Sequence, residues 1–144
     1  MIGELQQRFP RNRLLWLEAG STALRAGRPA EARAALEEGL ARLSRDPRPR
    51  AFGEDARWRY AYGAALVAMK DSAAAERELR IALAGAARDW VRGRVHTELG
   101  KLADLAGDRP RAFDEYRRAD RLCRQDHDVD CSDEANGLMK AGYR

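Results

Sequence analysis

The stretch LAGDRPRAFDEYRRA, residues 105–119, contains a turn between two segments of helical composition. Glycine is common at the end of a helix, so Gly107 is predicted to end the first helix. Aspartate is a preferred N-cap residue, so Asp108 is predicted to cap the second helix. Pro110 then stands in the first turn of the following segment, where its missing N–H does no harm. The stretch therefore predicts a helix hairpin, and the rest of the chain repeats it.

The same spacing of small and large residues occurs three times along the chain. Counted from a first glycine, Gly or Lys follows at seven residues, a small residue at twelve, a large one at sixteen and a small one at nineteen. The sets are Gly20, Gly27, Ala32, Leu36 and Gly39; Gly63, Lys70, Ala75, Leu79 and Ala82; and Gly100, Gly107, Ala112, Tyr116 and Ala119. A glycine inside a helix costs about 1 kcal/mol relative to alanine. We therefore expect each first glycine to lie close against its partner helix, with the large residue filling the gap between repeats.

The composition favours helix throughout the chain. The 144 residues are 44% hydrophobic, largely alanine, and only 7% aromatic. Strand-forming runs of Val, Ile, Thr and Tyr are absent, whereas Ala, Leu, Arg and Glu are frequent. No apolar run approaches the roughly 20 residues that a membrane-spanning helix needs. We therefore expect a single all-α domain over residues 1–144 that does not insert into a membrane.

In these residues the chain resembles the tetratricopeptide repeat (TPR) family, whose unit is a helix-turn-helix of about 34 residues. The family's tryptophan position holds Trp16 in the first copy, Arg59 in the second and His96 in the third. The resemblance implies a right-handed α-solenoid of three TPR-like repeats plus a C-terminal capping helix. Its expected segments are 13–46, 56–89 and 93–126 for the repeats, 47–55 for an insertion and 132–144 for the cap. Its expected core is Trp16, Leu36, Tyr62, Leu79, Leu99, Phe113 and Tyr116.

The two ends of the chain also fit this pattern. Pro10 stands where the family closes a repeat, so residues 1–12 are the tail of a preceding repeat or an N-terminal cap. We expect the chain to be the C-terminal part of a longer array, the alternative being a native start with a half-repeat as its cap. Ser132 is the predicted N-cap of the last helix, and Leu138 and Met139 are expected to cover the flank of the third repeat.

The resemblance implies a concave groove lined by the first helix of each repeat, which in the family takes peptides or partner helices. The family's groove positions are assigned here by counting from the first glycine of each repeat. They are Leu17, Ser21 and Leu24 in the first copy, Arg57, Tyr60, Ala64 and Val67 in the second, and Arg94, Thr97, Lys101 and Asp104 in the third. The groove is expected to be apolar at its N-terminal end and basic at its C-terminal end. Arg57 and Arg94 fall at equivalent positions and are expected to point together toward an acidic group or a C-terminal carboxylate. The alternative is an ordinary solvated face whose arginines pair with neighbouring acids.

One known use of TPR grooves does not fit this chain. Family members that bind chaperone tails hold the terminal carboxylates with a lysine, asparagines and further basic residues. The corresponding positions here hold Leu17, Ser21, Ala61, Arg94 and Glu98. Only Arg94 has the required chemistry, so the sequence excludes that clamp.

The segment CRQDHDVDC, residues 123–131, is the densest polar cluster. Cys123, His127 and Cys131 are spaced four apart, which differs from common zinc spacings. The alternating aspartates resemble the start of a calcium loop, but the glycine and the bidentate glutamate of that loop are missing. A disulfide between Cys123 and Cys131 is a stronger alternative than either metal site and would indicate an oxidising compartment. Two free thiols, Cys123 on the helix face and Cys131 in a solvated loop, are the leading interpretation.

Catalysis has little support in the sequence. Neither His96 nor His127 lies in a nucleophile motif, and no phosphate-binding glycine-rich loop or metalloprotease helix is present. We expect His96 to be a packed core residue. The sequence thus predicts a non-enzymatic scaffold, without a cofactor, that binds a protein or peptide in the groove.

The sequence also allows two other functions. Twenty-four arginines and a net charge of +4 suggest nucleic-acid binding, but the charges are interleaved with acids and no aromatic residues alternate with a basic stripe. The end left by a missing helix suggests self-association, for example as a homodimer. Both are weaker predictions than the protein-binding groove.

Overall fold

The computed structural model describes residues 1–144 and contains eight α-helices and no strand. The helices are α1 (Ile2–Arg8), α2 (Leu14–Arg25), α3 (Pro29–Arg45), α4 (Glu54–Ala68), α5 (Ser72–Ala84), α6 (Asp89–Leu105), α7 (Arg109–Gln125) and α8 (Val129–Ala141). The predicted all-α class is confirmed. None of these helices has both the length and the apolar character needed to cross a membrane.

Six of the helices form three hairpins in chain order, α2 with α3, α4 with α5 and α6 with α7. The first helices of successive hairpins also touch, α2 with α4 and α4 with α6, and α8 continues the series against α6 and α7. Helix α1 contacts α2 at the opposite end of the molecule. Each helix therefore packs on elements close to it in the sequence, which is the arrangement typical of helical repeats.

The turn inside each hairpin has the same backbone form. Gly27, Lys70 and Gly107 have positive φ angles of 69°, 60° and 79°, the left-handed conformation that ends a helix. Asp108 caps α7 as predicted, because its carboxylate accepts a 3.1 Å hydrogen bond from a backbone N–H in the first turn. Asp71 stands at the equivalent N-cap position of α5, but its side chain makes no capping hydrogen bond.

The three repeated glycines lie in equivalent surroundings. A methyl group at Gly20, Gly63 or Gly100 would come within 3.0 Å of a large side chain from the second helix of the same hairpin. Those side chains are Leu36, Leu79 and Tyr116. The large residue therefore fills the notch at the glycine inside its own hairpin. Leu36 and Leu79 also belong to core clusters that include residues of the next hairpin, as the prediction of a residue between repeats requires.

The core follows the predicted pattern with two exceptions. Trp16, Leu36, Leu79, Leu99 and Tyr116 are buried as predicted. Tyr62 is only half-buried, and its hydroxyl donates a 2.8 Å hydrogen bond to Glu37. Phe113 is 41% exposed, because the inward stripe of α7 runs through Ala112, Tyr116 and Ala119, and Phe113 lies beside it.

Trp58 is a core residue that the repeat pattern missed. It is completely buried, and its ring packs against Gly39, the small residue at the nineteenth position of the first hairpin. A methyl group at Gly39 would overlap this ring. The gap between the first two hairpins is therefore filled by a side chain from α4, one residue before the family's tryptophan position.

A buried ion cluster joins the start of α2 to the segment between α3 and α4. Arg13 donates to both oxygens of Glu54 at 2.7 and 3.0 Å and to Asp46 at 2.9 Å. The Arg13 and Glu54 side chains are only 9% and 4% exposed. The hydrogen bonds from Arg13 hold the pKa of Glu54 below its usual range. Residues 46–53 thus form a loop fixed to the first hairpin, and Glu54 belongs to the helix that follows it.

The last helix begins earlier than predicted. Its N-cap is Asp128, whose carboxylate accepts a 3.2 Å hydrogen bond from the backbone N–H of Cys131. Ser132, the predicted N-cap, is buried, and its hydroxyl donates to Asp120 of α7. The error arose because a serine before acidic residues has the same local pattern whether it caps a helix or faces a neighbouring one. Leu138 and Met139 both pack against the third hairpin, on the cluster of Ala103, Ala112 and Tyr116, as predicted.

Candidate functional site

The structure has a groove between the first helices of the hairpins, with a volume of about 510 Å³. Six of the predicted groove residues line it together: Leu17, Ser21 and Leu24 from α2, Arg57 and Tyr60 from α4, and Arg94 from α6. Glu18, Arg25 and Asp130 also border it. The N-terminal part of the predicted groove is therefore present in the structure as one continuous concave site.

An aromatic ring lies between the two arginines that the sequence singled out. The guanidinium carbons of Arg57 and Arg94 are each 5.8 Å from the centre of the Trp90 ring. At this distance the ring face attracts the cations and restricts their movement. Trp90 was not predicted, although its position offered a signal. It lies among the three extra residues before the third repeat, which lengthen α6 at its N-terminus.

The guanidinium of Arg94 is already paired with a carboxylate of the same chain. Its Nε and Nη2 donate to Asp128 at 3.0 to 3.1 Å in a two-pronged, half-buried pair. The expectation that Arg94 would be a free ligand for a partner is therefore wrong. The Arg57 side chain forms no ion pair or hydrogen bond within the chain, so this cation beside Trp90 is available in the groove.

Tyr60 contributes a neutral polar group to the floor of the groove. Burial raises the pKa of Tyr60 to about 12, so its hydroxyl keeps its proton at neutral pH. A protonated hydroxyl can both donate and accept a hydrogen bond. Leu17 and Leu24 give the groove apolar surface, and Tyr60 and Ser21 give it two hydroxyl groups.

The remaining predicted groove residues do not line an open surface. Thr97 is 2% exposed, and Ala64 and Val67 are also buried. Ala64 and Val67 lie on α4, which packs against α2, α3, α5 and α6, and Thr97 lies on α6, which also contacts α8. The assignment of these three residues to a partner-binding face is wrong.

Lys101 and Asp104 hold α8 in place rather than facing solvent. Lys101 pairs with Glu98 at 2.8 Å and with Glu134 of α8 at 2.9 Å. Asp104 accepts hydrogen bonds from Arg109 at 3.1 Å and from the backbone N–H of Tyr143 at 2.9 Å. The predicted basic C-terminal end of the groove is therefore an internal ion network, and the open groove is shorter than predicted.

His96 is half-buried rather than fully packed. Its Nδ1 lies 2.6 Å from Glu115 of α7. Burial raises the pKa of Glu115, but the hydrogen bond with His96 and the electrostatic effects of His96, Arg118 and Arg80 together hold it below its usual range. The pair joins the two helices of the third hairpin and lies outside the groove.

Cys123 and Cys131 are joined as a disulfide, with their Cα atoms 5.8 Å apart. The leading expectation of two free thiols is wrong, and so is the placement of Cys131 in a solvated loop, because it is buried in the first turn of α8. The zinc alternative fails because neither sulfur is a thiolate. The calcium alternative fails because Asp126 accepts a backbone N–H and Asp128 pairs with Arg94. No cluster of three or more His, Cys, Asp or Glu side chains could hold a metal ion.

Reduction of this disulfide is expected to lower the free energy of unfolding by about 2.5 kcal/mol, because the bond closes a short loop in the unfolded chain. The measurement is urea unfolding with and without a phosphine reductant. A Cys123→Ala/Cys131→Ala variant serves as the control, because its unfolding midpoint should not respond to the reductant. A wild-type midpoint equally insensitive to reductant would contradict a disulfide in solution.

No family model, curated protein or solved structure matches the chain. An open groove with apolar residues, a tryptophan ring and two arginines without an ion pair, Arg25 and Arg57, can hold an extended chain segment and a carboxylate.

A second cavity, of about 550 Å³, lies near the start of α2 and is lined mainly by arginines. These are Arg11, Arg13, Arg42, Arg45 and Arg48. Most of them are engaged by the chain itself: Arg13 by Glu54, Arg42 by Glu38 and Arg48 by Asp46. Arg42 and Arg48 also donate to the backbone carbonyls of Pro10 and Arg11. These arginines join α3 to the start of α2, so this cavity is the weaker candidate.

Proposed function

We propose that the chain is a non-catalytic scaffold of the TPR type, in which three helix hairpins and α8 form a right-handed solenoid. Its groove binds an extended segment of a partner protein or a free peptide. The observation that carries this proposal is the unpaired Arg57 beside the Trp90 ring, above an apolar floor. The recurrence of the glycine notch in all three hairpins supports the repeat assignment.

Arg57 is suited to hold a carboxylate of the partner. Its guanidinium lies over the Trp90 ring, which restrains the plane of the group while leaving its N–H edges free. A carboxylate can then accept two parallel hydrogen bonds from one edge. Because the cation is already restrained, less conformational entropy is lost on binding. The neighbouring Leu17 and Leu24 offer a place for an apolar side chain of the same segment.

The charges around the groove narrow the class of partner. Arg25 is exposed, and its one hydrogen bond goes to Thr22. Glu18 and Asp130 also border the groove and would repel a uniformly acidic chain. We therefore expect a segment that carries one carboxylate, from an acidic residue or a free C-terminus, next to an apolar residue.

Replacing Arg57 by glutamate is expected to weaken peptide binding by about tenfold or more, since a charge-assisted hydrogen bond contributes about 1.5–3 kcal/mol. The probe is a peptide selected from a random library with free C-termini, and affinity is measured by calorimetry. Arg77→Glu is the matched control. It makes the same charge change at an exposed position on α5 and should leave the affinity within about twofold.

The same titrations test the proposal as a whole. Failure to select any peptide, or equal loss of affinity in Arg57→Glu and Arg77→Glu, would rule out the groove as the site. An amidated version of the selected peptide distinguishes a terminal carboxylate from an acidic side chain.

Nucleic-acid binding is the weaker alternative because most arginines near the N-terminal cavity already bond to the chain. A salt titration against single-stranded RNA would support it only if affinity fell steeply with salt.

A further inference from the structure

A smaller cavity adjoins the groove where α4 and α6 begin. It has a volume of about 250 Å³ and is called here the Phe52 cavity. Its lining residues are Phe52, Gly53, Arg57, Arg88, Trp90 and Val91. Arg57 and Trp90 also line the groove, so the two spaces share these side chains. A segment bound in the groove therefore lies next to the Phe52 cavity.

Two segments of the chain bring the walls of the Phe52 cavity together. Phe52 and Gly53 end the loop before α4, and the buried pair of Arg13 and Glu54 fixes that loop. A methyl group at Gly53 would lie 3.3 Å from the Cα atom of Ala87, so the loop packs directly against the residues before α6. The cavity is thus formed by the packing of two fixed segments.

The walls of the Phe52 cavity are largely aromatic. Phe52 is 70% exposed, whereas Val91 is buried. Trp90 is half-buried, and its backbone N–H donates a 2.8 Å hydrogen bond to Asp126. Removal of the exposed Phe52 ring from water would be favourable, and aromatic rings pack well against one another. The walls therefore suit a ligand group that carries an aromatic ring.

The two cations of the Phe52 cavity have no acidic partner. Arg57 and Arg88 are both exposed, and neither side chain forms an ion pair or a hydrogen bond within the chain. No acidic residue lines the cavity, whereas Glu18 and Asp130 border the groove. Negative charge is therefore favoured more clearly in the Phe52 cavity than in the groove.

The acidic residues closest in sequence do not neutralise these two arginines. Glu54 is held by Arg13 at 2.7 Å, and Asp55 lies 3.4 Å from Arg50. Asp89 forms no ion pair and does not line the cavity. The lining itself thus carries two positive charges and no negative one.

We propose that the Phe52 cavity binds a phosphotyrosine of the partner segment. The tyrosine ring packs against Phe52 and Trp90, and the phosphate accepts hydrogen bonds from Arg57 and Arg88. One carboxylate is satisfied by a single arginine, whereas a phosphate monoester carries a charge of about −1.5 to −2 and three acceptor oxygens. Two unpaired arginines therefore match a phosphate better than a carboxylate. Phosphoserine would supply the same charge but no ring to cover the aromatic walls.

This phosphotyrosine site rests on the proposed function, since the rest of the segment lies in the groove. Arg57 has several N–H donors on its guanidinium and lines both spaces. It can therefore contact a phosphate on one edge and a carboxylate of the segment on another. The phosphate site itself can be tested with small probes that do not occupy the groove.

The probes are phenyl phosphate, phenyl sulfate and inorganic phosphate, each followed by the NMR signal of the Trp90 indole N–H. Phenyl phosphate is expected to bind about tenfold more tightly than phenyl sulfate, which has the same shape but a single negative charge. It should also bind more tightly than inorganic phosphate, which leaves the aromatic walls uncovered. No binding of phenyl phosphate, or equal affinity for either of the other probes, would overturn the proposal.

Arg88→Gln separates this proposal from peptide binding in the groove. It should weaken the binding of phenyl phosphate by about tenfold or more, because one of two cations is lost. The affinity for the peptide selected for the groove should stay within about twofold, because Arg88 does not line the groove. Arg77→Gln, the same change at an exposed position on α5, should leave both affinities unchanged. Wild-type affinity for phenyl phosphate in Arg88→Gln would rule out the phosphate site while groove binding could still stand.

A competition experiment distinguishes a protein segment from a nucleic acid. An acetylated and amidated Ala-phosphotyrosine-Ala peptide is expected to displace phenyl phosphate, and the same peptide without the phosphate should not. A single-stranded RNA without terminal phosphates has only singly charged phosphodiesters, so it should displace the probe much less. Displacement by the RNA as effective as by the phosphopeptide would overturn the assignment to phosphotyrosine, as would equal displacement by the unphosphorylated peptide.

Discussion

Replacing Arg13 by alanine is expected to lower the free energy of unfolding by about 3–5 kcal/mol. Removal of one member of a buried ion pair leaves the other charge without a partner in a poorly hydrated site. Glu54 would be that stranded charge, because Arg13 supplies both hydrogen bonds from a side chain to its carboxylate. Since single domains are stable by about 5–15 kcal/mol, a loss of this size should be evident in urea or thermal unfolding.

Two variants define the cause of that loss. Arg48→Ala removes an arginine that pairs with Asp46 at the surface and is about half exposed, so it should cost only about 0–1 kcal/mol. Arg13→Met combined with Glu54→Met removes both charges and should recover most of the stability lost in Arg13→Ala. If the double variant were as unstable as Arg13→Ala, the loss would come from packing and not from the stranded carboxylate.

The same cluster contributes to acid sensitivity. Hydrogen bonds from Arg48 are the main cause that holds the pKa of Asp46 below its usual range in the folded protein. Hydrogen bonds from Arg13 do the same for the pKa of Glu54. A lowered folded-state pKa means that the stabilisation is complete above the pKa of the unfolded chain and is lost as the pH falls below it. The Arg13→Met/Glu54→Met variant should therefore lose less stability between neutral and acidic pH than the wild type.

Replacing Gly100 by alanine is expected to lower the free energy of unfolding by about 1–3 kcal/mol, although alanine is the better helix former. The added methyl group would overlap the Tyr116 ring. That ring cannot move aside, because it is fully buried and its hydroxyl donates a 2.7 Å hydrogen bond to Asp104. Thermal unfolding monitored by circular dichroism would measure the loss.

Gly137→Ala is the matched control for Gly100→Ala. Gly137 lies in α8 and follows Gly100 by 37 residues, as Gly100 follows Gly63. A methyl group at Gly137 would meet no atom within 4 Å. We expect this variant to gain up to about 1 kcal/mol from helix propensity. Opposite signs for the two substitutions would show that tertiary packing, and not helix propensity, explains the glycine at position 100. Equal gains in both would contradict close packing of α6 on α7.

The groove could be predicted in part. Transfer by offset identified six residues that do line one cavity, because the first helices of the hairpins lie side by side and present the same face. It failed at Thr97, Lys101 and Asp104, because α8 covers that part of α6. It also missed Trp90, which lies in residues added between two repeats. Positions counted from the first glycine of a repeat describe one hairpin at a time. They do not tell which other helix packs on that hairpin.

The sequence by itself determined the hairpins, because a helix stop, a cap and a glycine notch depend on residues within one repeat. Lys70 stands seven residues after Gly63, where the other two repeats have Gly27 and Gly107, and it has the same left-handed backbone. Only the tertiary structure decided which charges are paired and which are free. Arg57 and Arg94 are equivalent in the sequence, yet Arg94 is held by Asp128, 34 residues away. The reason is physical: helix periodicity is set by neighbours along the chain, whereas the partner of a long, flexible charged side chain depends on which helices pack together.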